Sequence, residues 1–281
     1  MQVTITDDFN LQKIANSGQC FRVKEFCDGT FRFITKDNVL YIKETSPHFF
    51  EISCSKEIWE HVWVTYFDLN RSYNQIRQSI PAADTYMQHA ATQGAGIRIL
   101  RQAPWEIMIT FIISQRKSIP AIRTSVELLA TKYGTAITTP HEKVYMFPTP
   151  EQLAHADCQS LADCKLGYRV PYVEDAISKI LSGSIDLTKL STLTTDELRS
   201  TLKEIRGVGD KVANCICLFA YGRTDVIPID TWILKTMAHE YAGQNPFPSY
   251  GESAGIMQQY AFHYALSHKE RFRDEKNHFL G

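Results

Sequence analysis

The sequence predicts an α+β protein in which an N-terminal antiparallel β-sheet domain precedes a mostly α-helical body. Two observations predict this order. Residues 20–45 alternate apolar and polar side chains around two turn signals, as the strands of a meander do. From about residue 56 the apolar residues instead recur with helical spacing. We therefore expect a sheet domain with flanking helices over residues 1–98 and a helical region over 99–281.

The strand region contains two predicted turns. Asp28 and Gly29 form a strong hairpin signal, and the Lys-Asp-Asn sequence at 36–38 marks a second turn. Between these turns, Phe31 and Phe33 point to one face of a strand because side chains alternate between the faces of a sheet. These patterns predict antiparallel neighbours joined by short turns.

Four later segments carry the start or stop signals of helices. The signals are Ser118 with Pro120 and a C-terminal Gly134, Thr149 with Pro150, a capping box from Thr194 to Glu197, and an apolar helical pattern over about 253–267. No internal repeat or low-complexity segment interrupts them. The body is therefore predicted to be a series of short, capped helices.

The composition limits the classes of function. Hydrophobic residues make up 44% of the 281-residue chain, and no apolar run approaches the ~20 residues of a membrane span. The start has no basic segment followed by an apolar core, and the seven irregularly spaced cysteines are typical of reduced thiols. We therefore expect a cytoplasmic protein without a membrane partner. A net charge of −1 argues against extensive phosphate coverage but leaves room for a local basic face.

The stretch LKEIRGVGDKVANCICLFAYG, residues 202–222, predicts a helical hairpin. Gly207 and Gly209 permit a turn that leaves backbone N–H groups facing outward, at the positive end of the next helix. Such a turn is suited to binding a phosphate. An ordinary αα turn with Gly207 as the cap of the first helix is an equally good interpretation of the glycines alone. The stretch matches neither a P-loop nor a dinucleotide-binding fingerprint.

Lys211 follows this turn directly, and Cys215 lies one helical turn further along. The apolar face of the second helix and its N-terminus both favour the neutral amine that a nucleophile requires. The alternative is that the lysine extends to solvent, as a single lysine usually does.

Asp230 lies in the segment VIPIDTW, residues 226–232, just before a predicted helix. Taken alone it is most simply a helix N-cap. A carboxylate that caps a helix beside an activated lysine also stabilises a cationic transition state. The hairpin, the lysine and this aspartate form a more specific pattern together than any one of them does alone.

The hairpin, Lys211 and, 19 residues later, Asp230 resemble the helix-hairpin-helix DNA glycosylase superfamily, in which a lysine at this place marks the bifunctional members. Further stretches, including SGQCFR (17–22), LGYRVPYV (166–173) and AGIMQQYAFHYAL (254–266), are similar to the 8-oxoguanine DNA glycosylase family over nearly the whole chain.

The resemblance implies a pocket for the extruded base. In this pocket the Gly18 carbonyl accepts a hydrogen bond from the N7–H group that oxidised guanine has and guanine lacks. Cys215 and Phe262 pack on the two faces of the base, and Gln258 binds its Watson–Crick edge. The spacing of Gln258 and Phe262 puts both on one side of a helix.

The resemblance also implies contacts with DNA outside the pocket. The Gly207 and Gly209 amides would bind phosphate, and Tyr168 and Arg169 would contact the strand opposite the lesion. The chain departs from the family pattern at three positions. Arg116 stands where an asparagine fills the gap left by the extruded base, Ala121 replaces an arginine that reads the orphan cytosine, and Trp232 replaces a phosphate-contacting histidine.

These departures put a strict preference for cytosine opposite the lesion in doubt. Arg116 is expected to enter the duplex as a cationic wedge, and the adjacent Lys117 to contact phosphate. The differences, together with the short form of the chain, suggest a bacterial member associated with the nucleoid.

The implied activity is that of a monomeric bifunctional glycosylase and AP lyase. Its partner is double-stranded DNA that contains oxidised guanine, and Lys211 forms a Schiff base with the sugar after base flipping. No cysteine follows Cys217, so an iron–sulfur cluster with four C-terminal cysteine ligands is not expected, and no catalytic zinc pattern is present. A monovalent cation at the hairpin is the one cofactor that the resemblance allows. The alternatives are a monofunctional glycosylase for alkylated bases and a noncatalytic DNA-binding protein that uses the hairpin alone.

Overall fold

The computed structural model describes residues 1–272 of the chain. The strands are β1 (Gln2–Thr4), β2 (Lys24–Glu25), β3 (Phe31–Thr35), β4 (Asn38–Ser46), β5 (Phe49–Ile52), β6 (Ala136–Thr138) and β7 (Lys143–Tyr145). The α-helices are α1 (Leu11–Ala15), α2 (Lys56–Ile58), α3 (Val64–Tyr66), α4 (Tyr73–Gln78), α5 (Thr85–Gly94), α6 (Pro104–Ser114), α7 (Ile119–Tyr133), α8 (Pro150–Ala154), α9 (Cys158–Asp163), α10 (Val170–Leu181), α11 (Leu187–Leu190), α12 (Thr195–Lys203), α13 (Asp210–Phe219), α14 (Thr231–Glu240) and α15 (Ala254–Ser267).

The first five strands form one antiparallel sheet in the order β1-β5-β4-β3-β2. Phe33 pairs with Leu40 across the β3–β4 turn, and both are buried against aromatic residues that follow α2. The turn after β2 contains Gly29 at φ +83°, and the turn after β3 contains Lys36 at φ +50°. The predicted meander and both of its turns are confirmed.

Four strands of the described chain lie outside the region that the sequence predicted. β1 and β5 add to the edge of the sheet, and β6 pairs with β7 in a separate two-stranded hairpin. Each has only three or four residues, too few for a reliable alternating pattern.

The predicted helices are present. α7 starts after Ser118, α8 starts at Pro150 with a capping box from Thr149, and α12 has the capping box from Thr194. Gly134 ends α7 in an extended conformation, φ −80° and ψ 163°, and not in the left-handed conformation usual for a glycine cap. A glycine is required there for another reason, because a Cβ atom would lie 1.9 Å from the main-chain oxygen of Met146.

A second, larger core holds the helical body together. α13 belongs to this core, with Val212, Ile216 and Phe219 buried. α5 packs along α15, so the helices that follow the sheet contribute to the core of the body. The division at residues 98 and 99 stays a prediction. None of the helices in residues 1–272 has the length and apolar character needed to cross a bilayer.

Candidate active site

The hairpin joins α12 to α13 through residues 204–209. Gly207 has φ +81°, and a Cβ atom there would lie 2.3 Å from the ring of Tyr172. The C-cap of α12 is Glu204, so Gly207 is not the cap that an ordinary αα turn would use. Within residues 1–272 the N–H groups of Gly207 and Gly209 have no hydrogen-bond acceptor. The loop therefore offers free donors at the N-terminus of α13, as phosphate binding requires.

Lys211 is the second residue of α13 and lines two adjoining cavities. Its Nζ atom lies 5.2 Å from the centre of the Phe111 ring, which stacks on Phe219 with ring centres 5.5 Å apart. No carboxylate in the described part of the chain lies within ion-pair distance of Lys211. The amine is therefore held over an aromatic floor without an anionic partner.

Asp230 caps α14 and lines the same two cavities. Its Oδ1 atom accepts hydrogen bonds from the N–H groups of Trp232 (3.0 Å) and Ile233 (2.9 Å). Burial raises the pKa of this carboxyl above its usual value, although the Ile233 N–H and the Lys211 charge oppose the shift. The N-cap interpretation is confirmed, and the carboxylate also faces the lysine cavity.

The inner cavity brings together the residues expected to hold the base. Gly18, Lys211, Cys215, Gln258 and Phe262 all line it. The volume is about 50 Å³, which is room for one or two water molecules at roughly 30 Å³ each, much less than a purine needs. The pocket must therefore widen before a base can enter.

Gly18 and Phe262 face each other across this cavity. Gly18 has φ +78°, and a Cβ atom there would lie 2.8 Å from Phe262 Cε1. Only glycine fits both the backbone conformation and this close approach. Gly18 therefore forms a wall of the pocket.

Gln258 supplies an unsatisfied acceptor. Its side chain is buried, with a relative exposure of 3%, and its Oε1 atom has no hydrogen-bond partner within residues 1–272. A buried unpaired amide oxygen costs free energy unless a partner arrives. Burial also raises the pKa of the Cys215 thiol, with Lys211 opposing the shift, so Cys215 is a neutral packing group.

The outer cavity, of about 700 Å³, opens from the inner one toward the surface. Arg116, Lys117 and Trp232 line it, and Arg116 is exposed with φ +50°. A left-handed backbone is uncommon for arginine and marks the tip of the α6–α7 loop. The wedge role of Arg116 stays a prediction.

Lys117 points differently from the expectation. Its ammonium group donates hydrogen bonds to Ser125 Oγ (2.5 Å) and to the main-chain oxygen of Lys165 (2.6 Å). Burial, with the nearby Arg169 and Lys165 charges, lowers the pKa of Lys117. The expected phosphate contact therefore does not fit this arrangement, because the group is already bound to the protein.

Tyr168 and Arg169 divide into one exposed and one buried residue. Tyr168 is 53% exposed, and Arg169 only 6%. The Arg169 guanidinium donates to the main-chain oxygen of Gln115, the residue before Arg116, and stacks 4.3 Å from the Tyr168 ring centre. Tyr168 suits a DNA contact. The structure corrects the expectation for Arg169, which fastens the Arg116 loop from inside instead of facing a strand.

Residues 2–108 match the family model for the N-terminal domain of 8-oxoguanine DNA glycosylase, and residues 109–259 match the HhH-GPD superfamily of base excision DNA repair proteins. The chain belongs to the 8-oxoguanine DNA glycosylase family.

Individual relatives of this glycosylase agree over most of their length. The structure of MBOgg1 in complex with a low-affinity DNA ligand is 37% identical, covers 95% of this chain and 96% of its own, and gives a TM-score of 0.90. The Clostridium acetobutylicum 8-oxoguanine glycosylase/lyase, in complex with DNA containing cytosine opposite 8-oxoG, is 30% identical over 96% of this chain and 98% of its own, with a TM-score of 0.87. A probable N-glycosylase/DNA lyase of Methanothermobacter thermautotrophicus is 28% identical over 75% of this chain and 74% of its own.

Two pocket residues of the glycosylase were missed by sequence reasoning. Phe111 forms the aromatic floor beneath Lys211, and Gln259 lines the inner cavity beside Gln258. Gln259 is 2% exposed and donates from Nε2 to the main-chain oxygen of Ser17, the residue before Gly18. Two adjacent glutamines in a largely apolar helix were the available signal.

The segment around Gly18 is held from two directions. Gln259 binds the peptide before Gly18, and Gln102 Nε2 donates to the main-chain oxygen of Gln19 at 2.9 Å, binding the peptide after it. The Gln19 side chain in turn bonds to the main chain of Arg98 and Leu100. The Gly18 carbonyl therefore lies between two fixed peptides.

Proposed function

We propose that this protein excises 8-oxoguanine from duplex DNA and then nicks the strand, with Lys211 as the nucleophile that displaces the base and as the amine of the Schiff base from which the strand is cleaved. The observation that carries the proposal is the meeting of Lys211, Asp230, Gln258, Phe262 and Gly18 at one cavity. They come from four separate segments of the chain, with Gln258 and Phe262 on the same helix, and each supplies a group that base excision needs.

The chemistry assigns one role to each catalytic group. Neutral Lys211 forms a bond from Nζ to C1′ of the deoxyribose, while the bond from C1′ to the base nitrogen breaks and the base leaves with its electron pair. The ionised Asp230 stabilises the positive charge that develops on the sugar. The nitrogen then loses one proton to solvent, the C1′–O4′ bond breaks as O4′ takes up a proton, and a protonated Schiff base links Lys211 to C1′. Removal of a C2′ proton then expels the 3′ phosphate by β-elimination.

Base selection depends on the walls of the inner cavity. The base is unstacked into the widened pocket, at a cost of a few kcal/mol. Cys215 and Phe262 pack on its faces, and Gln258 Oε1 accepts a hydrogen bond from its edge. The Gly18 carbonyl accepts the N7–H of the oxidised base, and for guanine it would meet the lone pair of N7 instead.

Four groups are proposed to bind the duplex. They are the main-chain amides of the hairpin, the exposed ring of Tyr168, the ring of Trp232 and the Arg116 side chain as a wedge. A guanidinium offers only donors, so Arg116 suits an orphan base whose exposed edge is rich in acceptors. The carbonyls of Gly207 and Val208 accept no hydrogen bond within the described chain, which is compatible with a monovalent cation there. Such a cation would add positive charge next to a bound phosphate. A monomer in the bacterial cytoplasm, associated with the nucleoid, stays a prediction.

The function is tested by cleavage of duplexes that carry one 8-oxoguanine opposite each of the four bases. The proposal predicts nicking at the lesion and none in undamaged duplex. Release of alkylated purines without nicking would instead indicate a monofunctional glycosylase. Tight binding without base release would indicate a DNA-binding protein.

Gln258→Leu should weaken excision without weakening the fold. Loss of the base-edge hydrogen bond is expected to lower kcat/KM for 8-oxoguanine by about tenfold or more. The melting temperature should stay the same or rise, because leucine leaves no unsatisfied acceptor in the helix. Single-turnover excision and thermal unfolding measure the two effects. Unchanged excision would remove Gln258 from the base-binding role.

Gln259→Leu is the matched change one residue along the same helix. It removes the donor to the Ser17 carbonyl, so we expect a loss of about 1–3 kcal/mol of unfolding free energy. Because the Gly18 segment loses one of its two supports, the ratio of 8-oxoguanine to guanine excision should fall. A variant that keeps both the wild-type ratio and the wild-type stability would show that Gln259 does not position Gly18.

A further inference from the structure

A second cavity, of about 400 Å³, lies apart from the lesion pocket. Its walls are the chain at residues 21–24, one face of α7 and the strand β7. We call it the basic cavity. Its lining charges are five cations, Arg22, Lys24, Arg32, Arg123 and Lys143, and two carboxylates, Glu127 and Glu142. In a protein with a net charge of −1, this is a local concentration of positive charge.

Both carboxylates that line the basic cavity already form hydrogen bonds with lining cations. Glu127 accepts from Arg22 Nε at 2.9 Å, and Glu142 bonds to both Lys24 and Arg32. Arg123 and Lys143 have no carboxylate partner within residues 1–272. The excess positive charge is therefore not neutralised by the surrounding side chains.

Three guanidinium donors around this cavity also lack partners. They are Arg22 Nη1, Arg32 Nε and Arg123 Nε, all buried. Glu106 approaches Arg22 Nη1 only to 3.9 Å, and burial raises the pKa of this glutamate to about 7, so at neutral pH its charge is incomplete. These three atoms are shielded from the cavity itself, so an oxyanion would be held by the net positive charge of the lining and by the exposed ammonium groups of Lys24 and Lys143.

The basic cavity adjoins the DNA side of the molecule. Phe21 lines both the basic cavity and the outer cavity of the active site. Ile119 and Ile122 of α7 line the outer cavity, and Arg123 and Glu127 line the basic cavity. A helix rises about 1.5 Å per residue, so the two cavities are about one turn of α7 apart.

We propose that the basic cavity binds a phosphate group, and that its nearest source is a backbone phosphate of the DNA that flanks the lesion. This inference rests on the proposed function, since it needs a duplex over the outer cavity. A free phosphate ion offers the same chemistry and is the other source. Arginine forks match the paired oxygens of either one.

The test compares Lys143→Gln and Arg123→Gln with Lys189→Gln, a control at an exposed lysine on α11. Duplex affinity is measured by fluorescence anisotropy over a range of salt concentrations. Each lost phosphate contact should reduce the slope of log K against log salt by about 0.9, and the control should keep the wild-type slope. Lys143 is exposed, so its substitution leaves the core intact even if Arg123→Gln unfolds.

A second measurement separates the two sources. Thermal unfolding is followed in sodium phosphate and in sodium chloride at equal ionic strength. Phosphate-specific stabilisation of the wild type that Lys143→Gln loses would support the site with free phosphate as its ligand. An unchanged salt slope in both variants, together with no phosphate-specific stabilisation, would overturn the inference. Wild-type nicking at 8-oxoguanine in the same preparation shows separately whether the proposed function holds.

Discussion

Lys211→Gln is expected to abolish strand nicking at 8-oxoguanine while leaving duplex affinity within about twofold. Glutamine keeps a polar side chain over the Phe111 ring but has no amine to attack C1′. Losing the nucleophile of a covalent mechanism typically costs on the order of 10³-fold or more in rate. Nicking and base release are both measured under single-turnover conditions, and affinity by anisotropy on a lesion duplex.

Lys203→Gln is the matched control for this change. Lys203 lies at the end of α12 near the same hairpin, and its ammonium pairs with Asp210 at 2.8 Å. This variant should cleave at the wild-type rate, since no part of Lys203 lines the pocket. If Lys211→Gln also cleaves normally, another group must be the nucleophile.

Asp230→Asn should separate catalysis from folding at one position. Asparagine is as good an N-cap as aspartate, so the hydrogen bonds from Trp232 and Ile233 can be kept. The substitution removes the negative charge that stabilises the developing sugar cation, and we expect kcat to fall by about 10²–10³-fold. Stability at neutral pH should stay the same or rise.

The expected stability follows from the direction of the Asp230 pKa. Burial raises the pKa of the folded carboxyl above its unfolded value, so folding favours the protonated form. That contribution to stability is fully present below the unfolded pKa and is lost as the pH rises through the folded pKa. At neutral pH the ionised aspartate therefore opposes folding, and asparagine removes this cost.

The raised pKa of Asp230 also predicts that the excision rate of the wild type falls on the acid side of its pH profile. Protonation of Asp230 removes the charge, so single-turnover excision should decline as the pH falls through the raised pKa. Asp230→Asn should lack this decline while keeping its low rate. A variant with wild-type kcat, or a wild type whose rate is independent of pH on the acid side, would contradict the electrostatic role.

The parts of the site that carry chemistry were predictable from the sequence. The hairpin and the helix N-cap single out Lys211 and Asp230, and the resemblance to the glycosylase family adds Gln258 and Phe262. The structure brings all four to one cavity. The antiparallel meander was predictable too, because the Asp28-Gly29 turn fixes its first hairpin.

Features that depend on the direction of a side chain, or on contacts between residues far apart in sequence, were not predictable. The resemblance led us to expect Arg169 at the strand opposite the lesion, but the sequence does not show that the Gln115 carbonyl needs a donor. Phe111 and Gln259 are ordinary members of helices until the chain brings α6 and α15 beside Lys211 and Ser17. Lys117 likewise turns inward to a carbonyl 48 residues away. Such partners are set by tertiary packing, on which local patterns carry no information.

The most direct measurement is borohydride trapping on a duplex with one 8-oxoguanine, followed by mass spectrometry of the cross-linked peptide. The account predicts a covalent adduct with the lesion duplex and none with undamaged DNA, with the modification at Lys211. No adduct despite tight binding and base release, or an adduct at another amine, would contradict the assignment of Lys211 as the nucleophile.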